Sequence, residues 1–175
     1  MHLASITVLD GLNDLNFALL MLRVVGLVVA AHGAQKLFGW FGGGGIAGAI
    51  GMTNALGMRN PKEQAYLAGI SEFAGGLLLF LGLLTPLGSA MVVATMIVAI
   101  VTVNGKGGFF VTNNGYEYNL VLIIVALFLA IAGPGEWSLD NAFDFDFLGL
   151  GWGLIALVAA GIGAFGALAG REQKG

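Results

Sequence analysis

The chain has 175 residues, 58% of them hydrophobic and 10% charged, with a mean hydropathy of +0.91. A soluble domain of this length carries roughly a quarter of its residues as charges, so this composition excludes one and points to an integral membrane protein, an all-α polytopic helical bundle in the bilayer. The net charge of -3 comes without a basic stripe, which argues against nucleic acid, and the absence of cysteine excludes disulfides, thiol redox chemistry, iron-sulfur ligation by this chain and thiol-attached haem.

Residues 1–14 hold Asp10 and Asp14 and lack the basic start and small-residue cleavage site of a secretory signal, so they are expected to remain as a short leader. Leu15 to Phe38 forms the first span, since about 20 helical residues cross a hydrocarbon core of about 30 Å. Its polar residues share a face. His32 and Gln35 are three apart, His32 and Lys36 four apart, and Arg23 lies nine residues earlier, again close to that face.

Gly42 to Met58 is apolar but glycine-dense, and predicts an irregular loop with a short helix on the membrane surface. The run Gly42 to Gly45 lacks the lysine and serine or threonine of a phosphate loop, so it reads as a hinge and not as a nucleotide site. Asn60-Pro61-Lys62-Glu63 offers an N-cap, a proline at the first helical position and an acid at the third, and announces a second span from about Ala65 to Leu84 that contains Glu72. Thr85-Pro86 repeats the cap-then-proline signal and opens the third span, Leu87 to Val103, with only Thr95 and Thr102 as polar side chains.

Gly105, Gly107, Gly108 and Gly115 break regular structure around Phe109-Phe110. The fourth span starts near Tyr116-Glu117-Tyr118-Asn119 and stops at Gly133-Pro134-Gly135; Glu136 to Asp146 is an acidic connection, and Leu148 to Ala169 is an uncharged fifth span. Gly149 with Gly153, and Gly166 with Gly170, are small-xxx-small pairs that permit close helix approach and a homo-oligomer through such faces. The layout is therefore a leader (1–14), a four-helix core with its last loop (15–147), a fifth helix (148–170) and a tail (171–175).

Lys36, Arg59, Lys62, Lys106, Arg171 and Lys174 all fall on one side of this layout and none on the other. The positive-inside rule then predicts an external N-terminus and a cytoplasmic C-terminus in the cell membrane, with the loop between the fourth and fifth spans outside. In that topology His32, Gln35, Lys36, Glu72, Tyr116, Glu117 and Tyr118 share the cytoplasmic half. His32 and Glu72 lie about 10 Å inside it and Arg23 about 22 Å from the same end at 1.5 Å per residue.

Polar side chains in hydrocarbon usually turn toward protein partners or a functional pocket, here one between the first, second and fourth spans. Glu72 has two readings: an ion pair with Arg23, or a proton-accepting group. His32 likewise suits an inter-helix hydrogen bond, or a hydrogen bond or proton transfer to a quinone carbonyl. Lys36 is expected to snorkel to lipid headgroups, while Trp40, Trp137, Tyr116 and Tyr118 read first as interface anchors and second as a stacking platform. With only His2 and His32 as histidines, one chain cannot give a membrane haem two buried imidazoles.

Several runs together resemble the DoxX family: His32-Gly33-Ala34-Gln35-Lys36-Leu37-Phe38-Gly39-Trp40-Phe41-Gly42-Gly43; Glu72 ahead of Gly75-Gly76-Leu77-Leu78-Leu79; Leu81-Gly82-Leu83-Leu84-Thr85-Pro86; Gly108-Phe109-Phe110; and Gly115-Tyr116-Glu117-Tyr118-Asn119. The match runs over about residues 20 to 140. The resemblance implies a small membrane protein on a four-helix core, and service to a membrane redox complex; some members are associated with thiosulfate:quinone oxidoreductase, others with complexes of oxidative-stress resistance. It also places Arg23, His32, Gln35, Lys36, Glu72 and Glu117 at the family's characteristic polar positions. The fifth span lies beyond that core, and Asn104 stands about where the resemblance leads one to expect a histidine ahead of the Gly-Phe-Phe segment. The expectation is a protein binding a quinone-like or other amphipathic small molecule. Arg23, His32, Gln35, Lys36, Trp40, Glu72, Tyr116 and Glu117 line the site, Glu72 and His32 handle protons, and a redox partner subunit adjoins. The alternative is a non-catalytic scaffold or carrier that recruits a partner protein.

Overall fold

The computed structural model describes the backbone of residues 2–172 and the side chains of residues 11–172. Met1, the Asp10 side chain and the basic tail residue Lys174 lie outside the described residues. Within them all regular structure is helical: α1 (His2–Phe38), α2 (Gly45–Ala55), α3 (Pro61–Leu81), α4 (Thr85–Ala99), α5 (Glu117–Ala132), the single turn α6 (Leu139–Ala142) and α7 (Leu150–Leu168). Four segments are long and apolar enough to cross a membrane, Gly11–Phe38, Pro61–Leu81, Thr85–Gly107 and Leu150–Leu168; α5, equally apolar, is shorter at 16 residues. The helix begun at His2 continues through residue 15 without a break, so the leader and the first span form one rod.

α1 packs along α3, α3 along α4, and α4 against both α5 and α7. The core at their centre joins Leu19 and Val29 of α1, Leu79 of α3, Val92, Val93 and Met96 of α4, Leu122, Ala126 and Leu129 of α5, and Ala160 of α7. The tightest seam is glycine on glycine. Gly26 and Gly33 on α1 repeat at seven residues, as do Gly69 and Gly76 on α3, and a methyl at Gly26 would run into the carbonyl of Gly76. Backbones this close gain dispersion contacts that larger side chains would prevent, the main attraction open to helices in lipid. The pairs expected from sequence on the last helix do not do this: Gly149 and Gly166 have nothing near them, while Gly153 and Gly170 meet side chains, those of Ile131 and Arg59, and no neighbouring backbone.

The helix starts also differ from the local signals. Asn60 caps no backbone donor of α3; it sits in the left-handed region at φ 52°, and its amide binds the Glu63 carboxylate at 3.1 Å. Thr85 is not a cap but the first residue of α4. Its own donors are satisfied from 55 residues away by Asp140, whose carboxylate accepts from the amides of Leu84 (2.6 Å) and Thr85 (3.0 Å) and from the Thr85 hydroxyl (2.6 Å). The negative charge suits both the free amides and the positive end of the α4 dipole. α3 stops at Leu81 because Gly82 turns left-handed, three residues before the expected end.

Candidate functional site

α3 and α4 touch at their Gly82 to Leu84 turn and along Gly75 and Gly88, while their far halves are separated by a cavity. Its volume is about 420 Å³, and α2 and the last turns of α7 close it. That size falls in the range of small-ligand sites, roughly 300–1,000 Å³. The wall is mostly apolar: Met52, Leu56, Ala68, Ala94, Val98 and Ala167 among others. The polar groups on it are Lys36, Thr53, Gln64, Ser71, Glu72, Thr95 and Thr102.

Lys36 and Glu72 pair, with Nζ 2.5 Å from Oε1. The glycine seam produces this contact. Gly33 lies on the backbone of Phe73 and Gly69 on Leu37, so α1 and α3 close to a distance at which the lysine stem reaches the carboxylate. Glu72 is 4% exposed, and its second oxygen, Oε2, is buried with no hydrogen-bond partner among the described residues. A buried acceptor left without a donor costs about 1 to 3 kcal/mol, more when charged, which makes it a signature of a group awaiting a ligand or water.

The expected Arg23 to Glu72 pair is not formed. Arg23 is buried, and its guanidinium donates to the carbonyls of Phe80 (3.0 and 2.7 Å), Pro134 (3.2 Å) and Trp137 (2.6 Å). These are the free carbonyls at the ends of α3 and α5 and in the turn that follows, so Arg23 ties the two helix ends to α1. Beside it Asn16 and Glu136 exchange hydrogen bonds of 2.8 and 2.9 Å. Depth explains the swap: Arg23 lies beside the far end of α3, on the Phe80 carbonyl, whereas Lys36 lies beside Gly69, one turn from Glu72 and within reach of its long stem. Lys36 therefore does not snorkel free but turns inward.

Of the eight residues expected to share one site, the cavity collects Lys36 and Glu72. It lies between α2, α3, α4 and α7, not between the first, second and fourth spans, because α1 fits α3 too tightly to leave space between them. Gln35 holds the turn after α1 through the Phe41 carbonyl at 3.3 Å. Trp40 is exposed and lies against Phe38, ring centroids 5.0 Å apart. Tyr116 meets Phe109 edge-on at 5.6 Å, and Glu117 accepts from the Val111 amide at 2.8 Å, so both shape the connection between α4 and α5. His32 is exposed on α1 and makes no hydrogen bond among the described residues. One turn on, Lys36 is rotated by about 40° toward α3, enough for its long stem to reach Glu72.

Sequence reasoning passed over Thr53, Gln64, Ser71 and Asp140. The Thr53 hydroxyl lies 2.7 Å from the Pro61 carbonyl and fixes α2 to the start of α3. At the same rim Arg171 donates to the Leu56 carbonyl and the Glu172 amide to that of Gly57, both at 2.9 Å, so the tail after α7 holds the connection that closes the cavity. The one available sequence signal was Gln64, eight residues and so about two turns before Glu72, a weak one.

Comparison with known proteins agrees with this architecture. The DoxX family model matches residues 18–105 of the 175. A Bacillus subtilis protein named "Putative oxidoreductase CatD" is 32% identical over 122 residues, 69% of this chain and 83% of its own. An uncharacterized protein of Haemophilus influenzae is 32% identical over 123 residues, 69% and 85% of the two chains. An uncharacterized membrane protein of Mycobacterium tuberculosis is 31% identical over 130 residues, 67% and 76%. No solved structure matches. A family match that begins in α1 and runs through α4, with relatives that align over most of their own length, means that this chain belongs to the DoxX family of helical membrane proteins.

Proposed function

We propose that the protein binds a quinone-like or similar amphipathic ring compound in the cavity between α2, α3, α4 and α7, and that it serves a membrane redox complex. The observation that carries this reading is the pairing of a mostly apolar space of about 420 Å³ with one buried, half-satisfied carboxylate on its wall. Apolar walls suit a ring and its alkyl tail, and Lys36 with Glu72 supplies the few polar contacts that orient it. The redox setting draws its support from the name of the Bacillus relative. The distribution of Lys36, Arg59, Lys62, Lys106 and Arg171 at the cavity end of the bundle supports a cytoplasmic opening.

A second reading, recruitment of a partner protein, is favoured by His32 alone. This imidazole, exposed on a spanning helix, has no hydrogen bond among the described residues, and a neighbouring membrane helix would supply one.

Ala68→Phe tests the pocket. A phenylalanine placed in existing space should leave the melting temperature within a few degrees of wild type, yet abolish the stabilisation caused by adding a decyl-substituted quinone or quinol. A shift that persists unchanged in Ala68→Phe, or none in wild type with either compound, rejects the cavity as the binding site.

A further inference from the structure

The cavity wall carries donors on Lys36, Gln64 and Ser71 and one buried acceptor that lacks a donor among the described residues. Glu72 Oε2 is an acceptor without a donor. The hydroxyl hydrogens of Thr95 and Thr102 are already donated to the carbonyls of Met91 and Val98, at 2.9 and 2.8 Å, so these side chains offer only lone pairs. Thr53 is engaged in the same way on Pro61 at 2.7 Å. Lys36 donates one hydrogen to Glu72 Oε1 and keeps two. A ligand that satisfies this wall must donate to the carboxylate, and gains more if the same atom accepts from the ammonium.

A hydroxyl on a ring does both. It donates its hydrogen to Oε2 and receives one from Lys36 through its lone pairs. A quinone carbonyl or an ether oxygen accepts only. It can meet Lys36 but leaves Oε2 without a donor and brings its own lone pairs toward the carboxylate. Resting on the pocket reading above, we propose that this site selects the hydroxyl-bearing form of its ligand, a hydroquinone or phenol, over the quinone or ether form, and that Glu72 is the selecting residue. Gln64 and Ser71 stand on the same wall for a second polar substituent. No bond changes in this step; it is recognition of a donor by a buried acceptor.

The test uses a redox-inert pair, para-nonylphenol and its methyl ether, which differ in one O–H and nearly match in apolar bulk. Affinities are measured on the detergent-solubilised full chain by ligand-dependent stabilisation. Wild type should bind the phenol on the order of tenfold more tightly than the ether, the factor expected for a hydrogen bond to a charged acceptor. Glu72→Gln, whose amide turns a donor toward the ligand, should bring the two affinities together. Should that variant fail to insert, Glu72→Asp, which keeps the charge and withdraws the acceptor by one methylene, should show the same narrowing. Equal wild-type affinities, with Ala68→Phe still blocking both ligands, would overturn selection while the pocket stands. A preference for the phenol that survives at Glu72→Gln and Glu72→Asp would reassign it to another acceptor and overturn the role of Glu72. Binding of neither compound, or binding untouched by Ala68→Phe, overturns the pocket and the selection together.

Discussion

Replacing Lys36 by methionine keeps the apolar stem beside Gly69 of α3 but removes the only donor on Glu72 among the described residues. The carboxylate side chain is 5% exposed and the lysine 30%. Breaking a buried pair from one side costs about 3 to 5 kcal/mol, and the partial exposure of Lys36 sets the expectation at the lower end, about 3 kcal/mol. Glu72→Leu alone leaves a cation that can turn toward headgroups, so its cost should be smaller, about 1 kcal/mol. The double variant replaces both partners by apolar groups and should cost no more than about 1 kcal/mol, giving a coupling of about 3 kcal/mol between the sites. The assay is reversible unfolding in mixed micelles as the SDS fraction is raised, followed by far-ultraviolet circular dichroism. Additive losses for Lys36 and Glu72 would refute the pair. The same cycle with Arg23→Met and Glu72→Leu should be additive, since these residues hold separate partners.

Arg23→Met strips the donors from three carbonyls at the opposite end and should cost about 3 kcal/mol; a melting curve that matches wild type would dismiss the clasp. Asp140→Ala should destabilise by about 2 to 4 kcal/mol through the loss of the α4 cap, with Asp140→Asn between it and wild type in the same thermal scan. Gly76→Ala should cost about 2 to 3 kcal/mol, because its methyl meets the Gly26 carbonyl, whereas Gly48→Ala, with open space around it, should be neutral or slightly stabilising; equal melting temperatures would deny the glycine seam. A cysteine placed at Trp137 should react with an impermeant maleimide on intact cells, and one at Lys62 only after permeabilisation; the reverse pattern would invert the proposed orientation.

The sequence by itself determined the class of the protein and most of its element positions. Apolar runs of spanning length, the helix-opening Asn60-Pro61 and Thr85-Pro86, and the break at Gly133-Pro134 all act locally, through backbone conformation and transfer to lipid, and they reappear as α1, α3, α4, α5 and α7. The short helix α2 in the glycine-rich loop was legible for the same reason. Depth was legible too, because residues counted from a helix end fix it at 1.5 Å each, and that count set His32 level with Glu72, Lys36 in the same half of the membrane and Arg23 deeper. Only the tertiary structure decided rotation and neighbour order. The seam of Gly26, Gly33, Gly69 and Gly76 draws α1 onto α3, closes the space where a pocket was expected, and turns Lys36 inward while His32 stays exposed. The divergence of α3 from α4 beyond Gly75 and Gly88 then opens the cavity on the other side of Glu72, against α7. Asp140 reaches α4 across 55 residues. Such pairings depend on how close two backbones come and at what angle, which is settled by packing between segments far apart in the chain and leaves no period in either one.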